Sequence, residues 1–138
     1  MSDATWQGGC QCGAVRYRMT PPPLALYVCH CKHCQKQSSS AFGMSMWVGR
    51  DNIEFSGELK FWTTHGDSGN PKTCAFCGVC GTRLYHDGGD DSPFSVKAGT
   101  LDDVSSLQPT HHIWTRRAQS WLSPVLADSE CYEGEPPF

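Results

Sequence analysis

A chain of 138 residues with a net charge of −3 has the size of one domain and offers no electrostatic case for nucleic acid or an anionic membrane surface. Its 14 glycines and 9 prolines argue against long helices, and no apolar run approaches the roughly 20 residues that cross a bilayer. Met1 to Trp6 lacks the basic and apolar regions of a secretory leader, so the expected location is cytoplasmic, where thiols stay reduced.

Along the chain the periodicity is that of short strands. Gly8-Gly9-Cys10-Gln11-Cys12-Gly13 sets two cysteines inside a glycine frame. Ala14 to Met19 then alternates, with Val15, Tyr17 and Met19 on one face and Arg16 and Arg18 on the other, until Pro21-Pro22-Pro23 stops it. Leu24 to Val28 reads as a strand delivering a second cluster, Cys29-His30-Cys31-Lys32-His33-Cys34. Lys32 to Ser38 suits one or two helical turns, and Gly43 to Val48 is strand-like again. Asn52 to Phe55, a Ser56-Gly57 turn and Leu59 to Thr63 predict a hairpin. Asp67 to Pro71 is a loop; Thr73 to Phe76 leads into a third cluster, Cys77-Gly78-Val79-Cys80-Gly81, and Arg83 to His86 leads out of it. Phe94 to Ala98 and Thr110 to Thr115 are further strands. With no repeat or linker to divide it, residues 1–138 read as one domain of mainly β class.

Seven of the 9 cysteines therefore fall in three tight clusters. Neighbours two or three residues apart make poor structural disulfides because they close almost no loop, and in a reducing compartment such thiols bind metal. Regular strand geometry would hold the side chains of Cys10 and Cys12 about 6.5–7 Å apart. Sulfurs on one tetrahedral zinc lie roughly 3.8 Å apart, so the backbone must bend there, which the flanking glycines allow. Cys10, Cys12, Cys77 and Cys80 are thus expected to form one structural Zn²⁺ site; the competing reading is two cysteine pairs buried in the core.

The triplet is different. Cys29 and Cys31 share a face at a strand end and Cys34 lies one helical turn beyond, so three sulfurs can converge on a second zinc. His33 is a sterically possible fourth ligand, whereas His30 points away between its neighbours. Otherwise the fourth position belongs to water or substrate, as in catalytic zinc sites. The alternative is a second structural site closed by His33, Cys74 or a distant histidine. Three thiolates outweigh the charge of Zn²⁺ by one, so such an ion acidifies water poorly and metal-hydroxide hydrolysis fits badly. Coordination would instead keep an incoming thiol deprotonated, which suits addition to a small carbonyl. Deaminase, thioredoxin-like and ferredoxin-like patterns each lack a required residue or context.

Gly8 to Tyr17, Cys29 to Gln35 and Phe76 to Thr82, in that order, resemble the glutathione-dependent formaldehyde-activating enzyme family, as do Val96 to Asp103 and His112-Ile113-Trp114. The resemblance spans residues 6–122 and leaves 123–138 as a tail. It implies a β-tent of short antiparallel sheets, a structural zinc on Cys10, Cys12, Cys77 and Cys80, and a catalytic zinc on Cys29, Cys31 and Cys34. The activity it implies is that of a carbon–sulfur lyase forming S-(hydroxymethyl)glutathione from formaldehyde. The expected partners are glutathione or another small thiol and a small carbonyl; a non-enzymatic glutathione carrier is the rival. Arg50, Lys60, Arg83, Lys97 and Arg116 are candidate anchors for glutathione's carboxylates. His112 is either a pocket residue or a buried, hydrogen-bonded one. Trp47, Trp62, Trp114 and Trp121 are read as core, and Cys74 and Cys131 match no family cysteine.

Overall fold

The computed structural model of the chain describes residues 5–66, 68–127 and 129–137. Met1 to Ala4 of the N-terminal segment, Asp67 at the head of the expected loop, and Asp128 and Phe138 of the tail lie outside the described residues. Strands β1 (Trp6–Gly9), β2 (Arg16–Met19) and β5 (Ile53–Ser56) make a small antiparallel sheet in the order β1-β2-β5. The larger sheet holds β3 (Ala25–Cys29), β4 (Gly43–Val48), β6 (Leu59–His65), β7 (Pro71–Cys77), β8 (Arg83–Asp87), β9 (Phe94–Lys97), β10 (His111–Ile113) and β11 (Glu130–Cys131). Its order is β11-β10-β3-β4-β9-β8-β7-β6, and α1 (Lys32–Ser38) follows β3. The class is mainly β, and among the described residues no helix is long and apolar enough to cross a membrane.

The alternation read in residues 14–19 survives intact: Val15, Tyr17 and Met19 are buried and Arg18 is exposed. They join Met46, Val48, Ile53, Leu84 and Val96 in one apolar layer between the sheets. Each such side chain contributes about 1.5–3 kcal/mol on burial, so this layer, rather than the exposed Arg16–Asp102 pair, holds the sheets together. Pro71 heads its strand, a position where the missing N–H is tolerated.

Two expectations are corrected. Residues 52–63 do not form a hairpin. β5 pairs with β2, Phe55 opposite Tyr17, whereas β6 pairs with β7, Leu59 opposite Cys77. Phe55 packs on Tyr17 and Tyr85, with ring centroids 5.3 and 4.8 Å away, which commits β5 to the edge of the small sheet beside β2. Gly57, at φ +96°, then carries the chain across to the other sheet. The larger sheet is also not wholly antiparallel, because β10 runs parallel to both β3 and β11. Parallel pairing needs a long crossover, and some eighty residues separate β3 from β10.

Candidate metal centres and the adjoining cavity

Cys10 follows β1, Cys12 lies in the next turn, Cys77 ends β7 and Cys80 lies in the turn before β8. All four sulfurs lie within 4.8 Å of one another. Cys12 Sγ is 3.7 Å from Cys10 Sγ and 3.8 Å from Cys77 Sγ, the spacing a single tetrahedral zinc requires. The strand-like distance is avoided because the backbone turns: Gly13 N–H donates to Cys10 O and Cys10 N–H to Val15 O. Amide groups also converge on the sulfurs. Val15 N–H reaches Cys10 Sγ at 3.2 Å, Ala14 N–H reaches Cys12 Sγ at 3.5 Å, and Val79 N–H reaches Cys77 Sγ at 3.3 Å. Thr82, whose hydroxyl lies 3.2 Å from Cys80 Sγ, holds that thiol down to about 5. Burial opposes ionisation of Cys10, but the Val15 amide and neighbouring sulfurs outweigh it and lower the thiol. Cys12 is pushed up to about 11 because burial and its neighbours outweigh the Ala14 amide. Four thiols crowded this closely cannot all ionise without a counter-charge, so they are a donor set that a cation would reconcile.

In the second cluster Cys29 ends β3 while Cys31 has left the strand and caps α1, its sulfur accepting Cys34 N–H at 3.3 Å. The three buried sulfurs lie within 4.8 Å of one another, and among the described residues no histidine, carboxylate or further cysteine joins them. Neither His33 nor Cys74, the named alternatives for a fourth ligand, joins the three sulfurs. His30 is buried, with Nε2 3.0 Å from His112 Nδ1, and His33 and Cys74 line a separate cavity. Hydrogen bonds from Cys29 and Cys31 hold Cys34 down to about 2, assisted by Lys97 and Lys72, while the Cys29 thiol is driven up by Cys31, Cys34 and burial. The cluster therefore favours a thiolate among its three sulfurs. Gln37 Nε2 donates to Cys34 Sγ at 3.6 Å, and its Oε1 accepts from His86 Nε2 at 2.9 Å and Arg83 Nη1 at 3.4 Å. Burial, then Lys97 and Lys72, lowers His86 to about 2, so its ring is neutral. Gly43, opposite Cys29 on β4, lets α1 approach: a Cβ there would meet Cys34 Cβ at 3.3 Å.

A cavity of about 180 Å³ is lined by Cys29 and Cys34. Tyr27, Ser45 and Trp47 form one wall, Lys72 and His86 another, and Trp114 with Glu135 and Pro136 border it further. Burial works against the Lys72 ammonium, but Cys34, Cys31 and Cys29 outweigh it and hold it above its ordinary value. Lys97 donates to Ser45 Oγ at 3.2 Å; burial lowers its ammonium despite Cys34 and Cys29 nearby. A second cavity, of about 220 Å³, shares Lys72 and His86 and adds Lys36, Trp62 and Arg83.

Of the basic candidates, Arg83 lines the second cavity and Lys97 stands behind Ser45. Arg50 pairs with Asp87, Lys60 packs against Gly78, and Arg116 donates to the Glu133 carbonyl. These three line neither cavity. His112 is buried and hydrogen-bonded to His30; its neighbour His111, also buried and hydrogen-bonded to Thr110, borders the first cavity. The tryptophans are not core: Trp47 and Trp114 line the cavity, and Trp62 and Trp121 are exposed. Lys72, Ser45, His86 and Glu135 were missed. Lys72 was findable, sharing with Cys74 the alternate face of one strand; Glu135, in the tail, carried no signal.

A family model described as glutathione-dependent formaldehyde-activating enzyme matches residues 5–117, a span that contains all three cysteine clusters. The chain also shares its fold with a Rhodobacter sphaeroides protein known from its crystal structure. That likeness has a TM-score of 0.56 at 15% identity and covers 91% of this chain and 98% of the other. At such identity it concerns the fold alone.

Proposed function

The chain belongs to the glutathione-dependent formaldehyde-activating enzyme family, and on that premise we propose that it is a zinc-dependent carbon–sulfur lyase joining glutathione, or another small thiol, to formaldehyde or a related carbonyl. One observation carries the reading: three converged cysteine sulfurs that no fourth donor joins among the described residues, two of them lining a cavity. Cys29, Cys31 and Cys34 would hold the catalytic ion, and Cys10, Cys12, Cys77 and Cys80 a structural one. Sulfur spacing and amide donors around the four-sulfur group, and the convergence of the three buried sulfurs, fit zinc. A zinc ion on the triplet would supply the acidity that keeps a substrate thiol ionised near neutral pH.

The remaining work falls to this chain's side chains. Addition forms a bond from sulfur to the carbonyl carbon, while the C=O electron pair moves to oxygen and takes up one proton; nothing is oxidised or reduced. Ser45 lines the cavity and accepts from Lys97; its O–H, which also reaches the Tyr27 hydroxyl, would donate to the developing alkoxide. Lys97 replaces that proton. Lys72 contributes a second positive charge to the wall, and Tyr27 and Trp47 supply apolar surface that excludes water.

Formaldehyde adds to thiols unaided, so rate decides between enzyme and carrier. Exchange spectroscopy with labelled formaldehyde and glutathione should show the zinc-loaded protein accelerating adduct formation. Cys131→Ala should retain the acceleration, and Cys31→Ser should abolish it while keeping its fold by circular dichroism. Equal rates with and without wild-type protein would leave only carriage.

A further inference from the structure

The wall around the cavity is not built wholly from the residues that match the family model. That match ends at residue 117, yet Glu135 and Pro136 line the same cavity as Cys29 and Cys34. They arrive on a strap, residues 129–137, whose β11 lies beside β10. Tyr132 N–H donates to His112 O at 2.9 Å, Thr115 N–H to Tyr132 O at 2.9 Å and Trp114 N–H to Gly134 O at 3.1 Å. The indole of Trp114 donates to Glu135 Oε1 at 3.0 Å, which orients the carboxylate and leaves its other oxygen for a ligand.

From this placement we infer that Glu135 is a specificity residue, the receptor for an ammonium group on the thiol substrate, so that the strap selects thiols carrying an α-amino acid head over those carrying a carboxylate alone. The inference rests on the thiol-binding reading above. The cavity presents two opposite charges: Lys72 beside the cysteines and Glu135 on the strap. Glu135 is among the charges that favour the Lys72 ammonium. A thiol with its sulfur toward Cys29 and Cys34 can offer its carboxylate to Lys72 and its ammonium to Glu135. Remove the ammonium and the ligand's carboxylate meets Glu135 without compensation, which is a penalty built into the site.

The probes are glutathione and glutaryl-cysteinylglycine, which differ only in the γ-glutamyl ammonium, titrated calorimetrically into the zinc-loaded protein. Wild type should prefer glutathione by about fivefold, the scale of a solvent-accessible ion pair. Glu135→Gln, which keeps an acceptor for Trp114, should erase that preference by weakening glutathione and relieving the penalty on the analogue, with zinc content unchanged, and Glu135→Asp should keep part of it. Equal affinities in wild type, or a ratio that Glu135→Gln leaves intact, would overturn the inference while leaving thiol binding standing. Binding of neither probe by wild type would overturn both.

Discussion

Gln37 shows how much can depend on one amide. Its Nε2 serves Cys34 Sγ and its Oε1 serves His86 and Arg83, so a single rotamer ties the triplet to a neutral, buried imidazole. Replacing it with leucine strands the His86 N–H. An unsatisfied buried donor costs about 1–3 kcal/mol, so Gln37→Leu should lose that much in chemical denaturation. A Gln37→Leu protein as stable as wild type would show that His86 finds another partner. Histidines also mark the limit of reading single residues. Adjacent His111 and His112 point to opposite faces of a strand, and only the sheet's placement decides which one borders a cavity.

Among the elements, α1 and β4 have the bounds their patterns predict, Lys32–Ser38 and Gly43–Val48. Both are local: a capping sulfur and a half-buried alternation. The 52–63 hairpin failed because two adjacent strands joined by a Ser-Gly turn need not pair with each other when each has a better partner. Gly57 is the pivot. A Cβ there would sit 2.1 Å from the Ala14 carbonyl oxygen at a φ of +96°, whereas at Gly13, φ +85°, nothing lies within 4 Å. Gly13→Ala should therefore cost about 1–2 kcal/mol of left-handed strain alone. Gly57→Ala adds overpacking of about 1–3 kcal/mol to the same strain. Denaturant midpoints of the two variants should separate accordingly, and equal midpoints would contradict the close crossing of Gly57 over Ala14.

For the molecule as a whole, the four-sulfur group does more than close a turn. Cys10 and Cys12 belong to the β1–β2 connection of the small sheet, Cys77 and Cys80 to the β7–β8 connection of the large one, and Gln11 N–H donates to Thr82 Oγ1 across the same seam at 3.1 Å. A metal there would clamp sheet to sheet, adding its binding energy to that of the apolar layer. Metal analysis of protein purified without chelator should give two zinc ions per chain. Cys77→Ser should lose one of them together with much of the thermal stability, and Cys131→Ser should lose neither. A Cys77→Ser protein that keeps both ions and its melting temperature would contradict the clamp.

The three cysteine clusters, the class of fold and the grouping of seven sulfurs into a four and a three were legible in the chain because spacing within a few residues constrains where a sulfur can go. The cavity was not. Its walls come from β3, β4, β7, β8 and the strap, segments separated by tens of residues, and their meeting depends on sheet order and on the parallel seating of β10. Lys72, His86 and Glu135 gain their roles only there, since a charge acts through distance in space and the linear order of residues carries almost none of that distance.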